Sequence, residues 1–191
     1  MASLLTGLIR PSAFITPNWG TGDYIDINTL IPGSVSAGSA LGANQLYSTW
    51  LLVPPGGGRV TAVQISVTAT GTATAARVGF YRHGADGRPS DLILELGSTF
   101  DVTGTGDKEV TESFTLPPGI VHPVMLLNGT CTVHLYGTMN ASLYGYTSAS
   151  TATRRNTASR SGYVYAALPA TFGTPSGFLA VGGPRISVKA A

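Results

Sequence analysis

The chain has 191 residues, of which 10% are charged and 43% hydrophobic, and its formal net charge is +2. Charge this sparse, against roughly a quarter of residues in an average soluble protein, disfavours a freely soluble monomer. Twenty-five Gly and 12 Pro scattered along the chain exclude an all-α fold.

Residues 1–45 are poor in charge, lack a sustained period and are punctuated by Pro11, Pro17, Gly20, Gly22, Pro32, Gly33 and Gly38. A segment of this kind cannot build a core by itself. It is expected as an irregular N-terminal arm that docks on a particle or a neighbouring subunit, with Trp19, Tyr24 and Ile25 as anchors, since aromatic groups carry much of the energy of interfaces. The alternation Tyr24-Ile25-Asp26-Ile27 leaves open a second use, an added strand on the chain's own sheet.

From residue 46 to 191 the chain breaks into short β-branched and aromatic segments separated by Gly, Pro, Asp or Asn clusters at intervals of about 8–12 residues. Within Arg59–Thr68, Val63, Ile65 and Val67 alternate with Gln64 and Ser66, the signature of a half-buried strand. Ala76–Arg82 follows, then the turn HGADGRPSD, then a strand with Leu92, Leu94 and Leu96 on one face. Val110, Phe114 and Leu116 alternate with Glu109, Thr111, Ser113 and Thr115. After Pro117-Pro118-Gly119, Ile120–Leu127 is almost continuously apolar, as for a strand buried on both faces or at an oligomer contact. Thr130–Tyr136, Ser142–Tyr146, Tyr163–Leu168 and Arg185–Lys189 are further expected strands, and 147–162 is expected as a long polar loop. Eight to ten strands of this kind make an all-β protein, an antiparallel β-sandwich of jelly-roll type. Its expected core is Val63, Ile65, Val67, Leu94, Val110, Phe114, Leu116, Val133 and Ile186.

Charge is distributed unevenly. All nine acids lie between Asp23 and Glu112, and the last 79 residues carry Arg154, Arg155, Arg160, Arg185 and Lys189 with no acid. Such polarity can steer copies together, but no Lys/Arg-rich run or nucleic-acid-binding motif occurs, so nucleic acid is not an expected partner. Cys131 is the single cysteine, which excludes an intrachain disulfide and a thiolate metal cluster. The start, MASLLTGLIRP, lacks a basic n-region, and no apolar run approaches the roughly 20 residues of a membrane span, so cytoplasmic synthesis without membrane insertion is expected.

Titratable groups suited to catalysis are few. His122 and His134 fall within expected strands and His83 opens a turn; no metalloprotease, nucleophile-elbow or phosphate-loop pattern occurs. No enzyme, metal or cofactor is expected; Asp86-Gly87 before Pro89 reads as turn chemistry and not as a calcium loop. Tyr144, Tyr146, Tyr163 and Tyr165 flank the arginine-bearing segment. With Arg154, Arg155 and Arg160 they are candidates for surface binding to a glycan or a protein partner. Tyrosines filling the core and a solvated arginine loop are the alternative.

The stretches NQLYSTWLLVPPGGGRVTAVQISVTATG, ARVGFYRHGADGRPSDLILELGS, TGDKEVTESFTLPPG and ALPATFGTPSG, the last followed by PRISVKA, resemble a β-sandwich module of tail-fibre-like and other structural proteins of tailed bacteriophages and prophages. The marks are Gly79–Tyr81, the D-G-x-P turn Asp86–Pro89, and Leu-x-Pro-x-Gly before an apolar strand; the family's aromatics after that Pro-Gly are replaced by Ile120-Val121-His122-Pro123. The resemblance implies a non-enzymatic virion component assembled in the bacterial cytoplasm: a head decoration, fibre or tail-tip subunit, frequently a homotrimer, partnered by itself and by other virion proteins. A carbohydrate-binding module recognising host surface glycan is the competing function. A polysaccharide-degrading enzyme would need paired carboxylates, all drawn from residues 23–112.

Overall fold

The computed structural model describes residues 19–26, 33–139, 157–179 and 183–191. It is all-β: fourteen strand segments and no helix among these residues, arranged as two antiparallel sheets packed face to face. No helix of the described residues is long and apolar enough to cross a membrane.

The strands in chain order are β1 (Tyr24–Ile25), β2 (Gly33–Leu41), β3 (Gln45–Ser48), β4 (Leu51–Val53), β5 (Gly58–Ala69), β6 (Ala75–His83), β7 (Pro89–Glu95), β8 (Phe100–Asp101), β9 (Gly106–Leu116), β10 (Gly119–Leu127), β11 (Cys131–Met139), β12 (Thr157–Ser161), β13 (Gly177–Leu179) and β14 (Ile186–Ala190). The first sheet runs β1-β14-β5-β11-β2 with β9 on the other side of β5; the second runs β13-β12-β3-β10-β6-β7, with β4 continuing the β3 side of β10 and β8 the β7 side of β6. Pieces of two to four residues laid end to end along one long neighbour account for the excess over the eight to ten strands expected.

The alternation in β5 and β9 works as expected. Val63, Ile65 and Val67 pack against Val110 and Leu116 in the shared core with Val133 and Ile186, whereas Leu94 and Phe114 are only partly buried at its margin. Leu92, Leu94 and Leu96 do not share a face. Phe80 pairs with Leu94 but Tyr81 with Leu92, so one residue bulges between them and Leu92 turns to the opposite side.

Three segments depart from the sequence expectation. The described part of 1–45 supplies strands: β1 pairs β14 and β2 pairs β11. Residues 157–161, expected in a loop, form β12 between β3 and β13, where the small side chains of Thr157, Ala158 and Ser159 are buried. Tyr163–Leu168, expected as a strand, is irregular: Gly162 takes φ 75°, and the chain leaves the sheet there to cross its outer surface. Ser142–Tyr146 lies outside the described residues.

Both faces of β10, inside the second sheet, are buried from Val121 to Leu127. Val121, Met125 and Leu127 of β10 face the core shared with the first sheet, while Val124 and Leu126 join Leu46, Tyr81, Ala158, Leu168 and Phe172 in a second apolar cluster on the other side. The continuous apolar run of β10 is thus matched by two covers, one of them the chain's own segment 163–172.

Candidate functional site

The segment from Tyr163 to Phe172 is a strap over the outer face of the second sheet. Its first turn hangs on Asn44, a left-handed residue (φ 56°) whose carbonyl accepts the Tyr163 N–H at 3.0 Å and whose side-chain oxygen accepts the Tyr165 N–H at 3.2 Å. Its far end runs antiparallel to β7: the Leu92 N–H donates to Ala170 O and the Phe172 N–H to Ser90 O, both at 2.8 Å. Between these points the Tyr81 hydroxyl donates to Pro169 O at 2.8 Å, and the Tyr81 ring meets Phe172 edge-on at 5.8 Å. Burial pushes the Tyr81 phenol well above its ordinary range, so it stays a neutral donor. Gly79 lies under Leu168, where any Cβ would collide with the leucine side chain.

The rim of the strap gathers aromatic and charged groups. Arg77 forms a 2.6 Å ion pair with Glu95, whose second oxygen accepts the Leu168 N–H at 2.9 Å. The Arg77 guanidinium lies 5.5 Å from the centroid of Tyr165, and that of Arg160 lies 5.8 Å from Tyr163, both within cation–π range. Arg160 also donates to Phe172 O at 2.6 Å. Val164, 73% exposed, stands between the two half-buried tyrosines. The structure therefore brings Arg160 together with Tyr163 and Tyr165 and adds Arg77 and Glu95, which sequence reading missed because they come from β6 and β7. Tyr144, Tyr146, Arg154 and Arg155 lie outside the described residues.

The three arm residues sit on the chain's own first sheet. Ile25 is buried in the main core. Tyr24 pairs with Lys189, whose ammonium lies 5.4 Å from its ring, and its hydroxyl donates to Glu109. That bond to Glu109 raises the Tyr24 pKa. Asp26, 1% exposed, is held by Arg185 at 2.6 Å, fixing the segment to the start of β14. The Trp19 ring lies against Gly58, where a Cβ would overlap it, and lines a shallow cavity of about 280 Å³ with Pro54, Gly57, Arg59, Ala190 and Ala191.

A second polar arrangement escaped the sequence. His122 of β10 and His83 at the end of β6 lie on the same outer face, rings 5.2 Å apart and inclined by 13°, with His83 Nδ1 2.9 Å from His122 Nε2. His122 Nδ1 is 3.0 Å from the Thr49 carbonyl, which can only accept, so that nitrogen carries the proton. Burial pulls the His122 pKa down from 6.5 to about 4. The apolar run around His122 hid the pair, since its partner comes from a different strand.

No protein-family model matches the chain, and no curated protein matches it by sequence. The likeness to phage structural modules rests on the quoted motifs.

Proposed function

We propose that the chain is a non-enzymatic structural subunit of a tailed-bacteriophage particle, a head decoration, fibre or tail-tip protein, which acts by self-association into a homotrimer and by docking on other virion proteins. The observation that carries this reading is the use made of the chemically capable side chains. Tyr81, Arg77, Glu95 and Arg160 fasten the strap, Asp26 and Arg185 fasten the first strand, and the His122 imidazole bonds a main-chain carbonyl. Groups spent on holding strands suit a subunit whose task is to present a rigid surface. The sparse charge of the chain fits a protein that covers part of its surface with copies of itself.

Multi-angle light scattering of the full chain at micromolar concentration is expected to give the mass of three copies. A stable monomer would overturn the trimer. Antibody labelling of particles in a phage lysate tests virion residence. The second reading, recognition of a host surface glycan, draws support from the rim where Tyr163 and Tyr165 stand beside Arg77, Arg160 and Glu95. Aromatic faces with charged neighbours suit sugar rings. On the assembly reading a glycan array stays silent; binding that disappears in Tyr165→Ala would favour the second.

A further inference from the structure

Strand β9 is an open edge whose charges complement a second copy of themselves. Among the described residues it pairs with β5 alone and nothing bonds its other side, whereas the margin of the second sheet at β7 is closed by the strap. An edge of 11 residues is a ready template for another strand unless its side chains forbid pairing. Lys108, Glu112 and Phe114 are half-buried and Val110 is buried, whereas Asp107, Glu109, Thr111, Ser113 and Thr115 stand in solvent on the other face. Lys108 has no carboxylate within ion-pair distance among the described residues. Glu112 uses one oxygen, as acceptor of the Gly97 N–H at 2.8 Å. Glu109 is held on the chain's own sheet by the Tyr24 hydroxyl.

Symmetry limits the registers in which two such edges can meet. A two-fold axis normal to the sheet joins antiparallel edge strands and keeps each side chain on its own face, so even positions meet even positions and one residue meets its own copy on the axis. Lys108, Glu109 or Glu112 on the axis sets like charges together. Opposite charges meet in one register alone, with Val110 on the axis: Lys108 then lies across from Glu112 of the second copy, twice by symmetry, and Glu109 from Thr111. We propose that β9 pairs antiparallel with β9 of a second copy in this register and continues the first sheet across both chains. Phe114 meets Gly106 of the second copy, which brings no side chain over its ring. A bulge against β5 between Thr111 and Phe114 shortens the regular ladder to the residues around Val110. So short a ladder buries little area, and the pairing belongs to concentrated protein or to copies crowded on a particle, above the micromolar range in which the trimer is weighed. It does not rest on the trimer: single chains pair into dimers by this edge, and trimers are joined by it.

The test mixes full chains carrying Glu109→Cys with full chains carrying Thr111→Cys at high concentration and oxidises them. In the proposed register these positions face each other at about 4.5–5.5 Å between Cα atoms, a span that a disulfide bridges, and the buried Cys131 does not compete. A disulfide-linked dimer is expected from this mixture, and not from Glu109→Cys mixed with Ser113→Cys, which face each other only with Thr111 on the axis. Adding Lys108→Glu to both chains, or Glu112→Lys to both, sets like charges together and is expected to lower the yield about tenfold. Lys108→Glu in one chain and Glu112→Lys in the other restores both ion pairs and is expected to restore the dimer, which a folding defect in either variant would not do. No dimer in the first mixture, equal linkage through Ser113→Cys, an undiminished yield with Lys108→Glu in both chains, or no recovery on combining the two charge variants would overturn the proposal.

Discussion

Strands β9 and β10 are consecutive in the chain, separated only by Pro117 and Pro118, and sit in opposite sheets. β9 alternates: Val110, Phe114 and Leu116 turn inward while Glu109, Thr111, Ser113 and Thr115 stay exposed. Every residue from Val121 to Leu127 in β10 is buried. The first strand has one cover and the second has two, and the second cover is the strap, more than 35 residues later in sequence. Period-two alternation therefore reports how many faces of a strand are buried, but it does not say what buries the second one.

The inner face of β10 is the part of this contrast whose loss is largest. Phe80, fully buried opposite Pro123 and against Phe114, anchors it. Phe80→Ala is expected to lower global stability by about 3–5 kcal/mol in denaturant melts. A loss near that of an exposed site would show that the shared core lies elsewhere.

The outer face is tested next by acid. His122 is buried there with its pKa lowered from 6.5 to about 4, chiefly by loss of water around the ring, against the opposing pull of the Thr49 carbonyl. The unfolded chain takes up a proton below pH 6.5 that the folded chain refuses until about pH 4. Stability is full above the higher value and falls as pH drops through this window, by about 3 kcal/mol once below both. An NMR titration should find the His122 ring neutral down to about pH 4. A midpoint near 6.5 would mean that the outer face is wet.

Phe172 measures the strap itself. Its ring is fully buried against Tyr81 in the smaller of the two apolar clusters, and the strap is expected to lift without unfolding the sandwich, so Phe172→Ala is expected to cost about 2 kcal/mol, less than a core phenylalanine. Hydrogen exchange should quicken at the N–H groups of Leu92 and Phe172, which bond across to the strap and to β7, and stay slow at Val63. Equal acceleration in both places would show that the strap and the sandwich unfold as one unit.

The two-sheet architecture and most of the core were legible because β-branched residues at spacing two declare themselves, as in Val63-Gln64-Ile65-Ser66-Val67. β12 was not, because small residues such as Thr157, Ala158 and Ser159 suit a loop as well as a crowded strand, and neighbouring strands decide between the two. The strap was misread for the opposite reason: Tyr163 and Tyr165 alternate as a strand would, but their N–H groups bond Asn44. Of the rim, sequence marked Arg160 and the tyrosines. Arg77, Glu95 and the His83–His122 pair depend on register across strands, which no single segment encodes.

Phe114 closes the series at its smallest effect. Its place in the β9 pattern makes it look like a full core residue, and full burial would put Phe114→Ala at about 3–5 kcal/mol. The ring is only partly buried, tilted 48° to Phe80 at a centroid distance of 5.3 Å, on the strand that ends this side of the first sheet. With part of the ring already in water, less apolar area is lost on truncation and solvent can enter the gap, so about 1–2 kcal/mol is expected. A double-mutant cycle with Phe80→Ala isolates the ring pair, whose coupling should be about 0.5–1.5 kcal/mol. A Phe114→Ala loss as large as that of Phe80→Ala would mean that this margin of the sandwich is covered in solution, and a neighbouring copy seated along β9 would supply the cover.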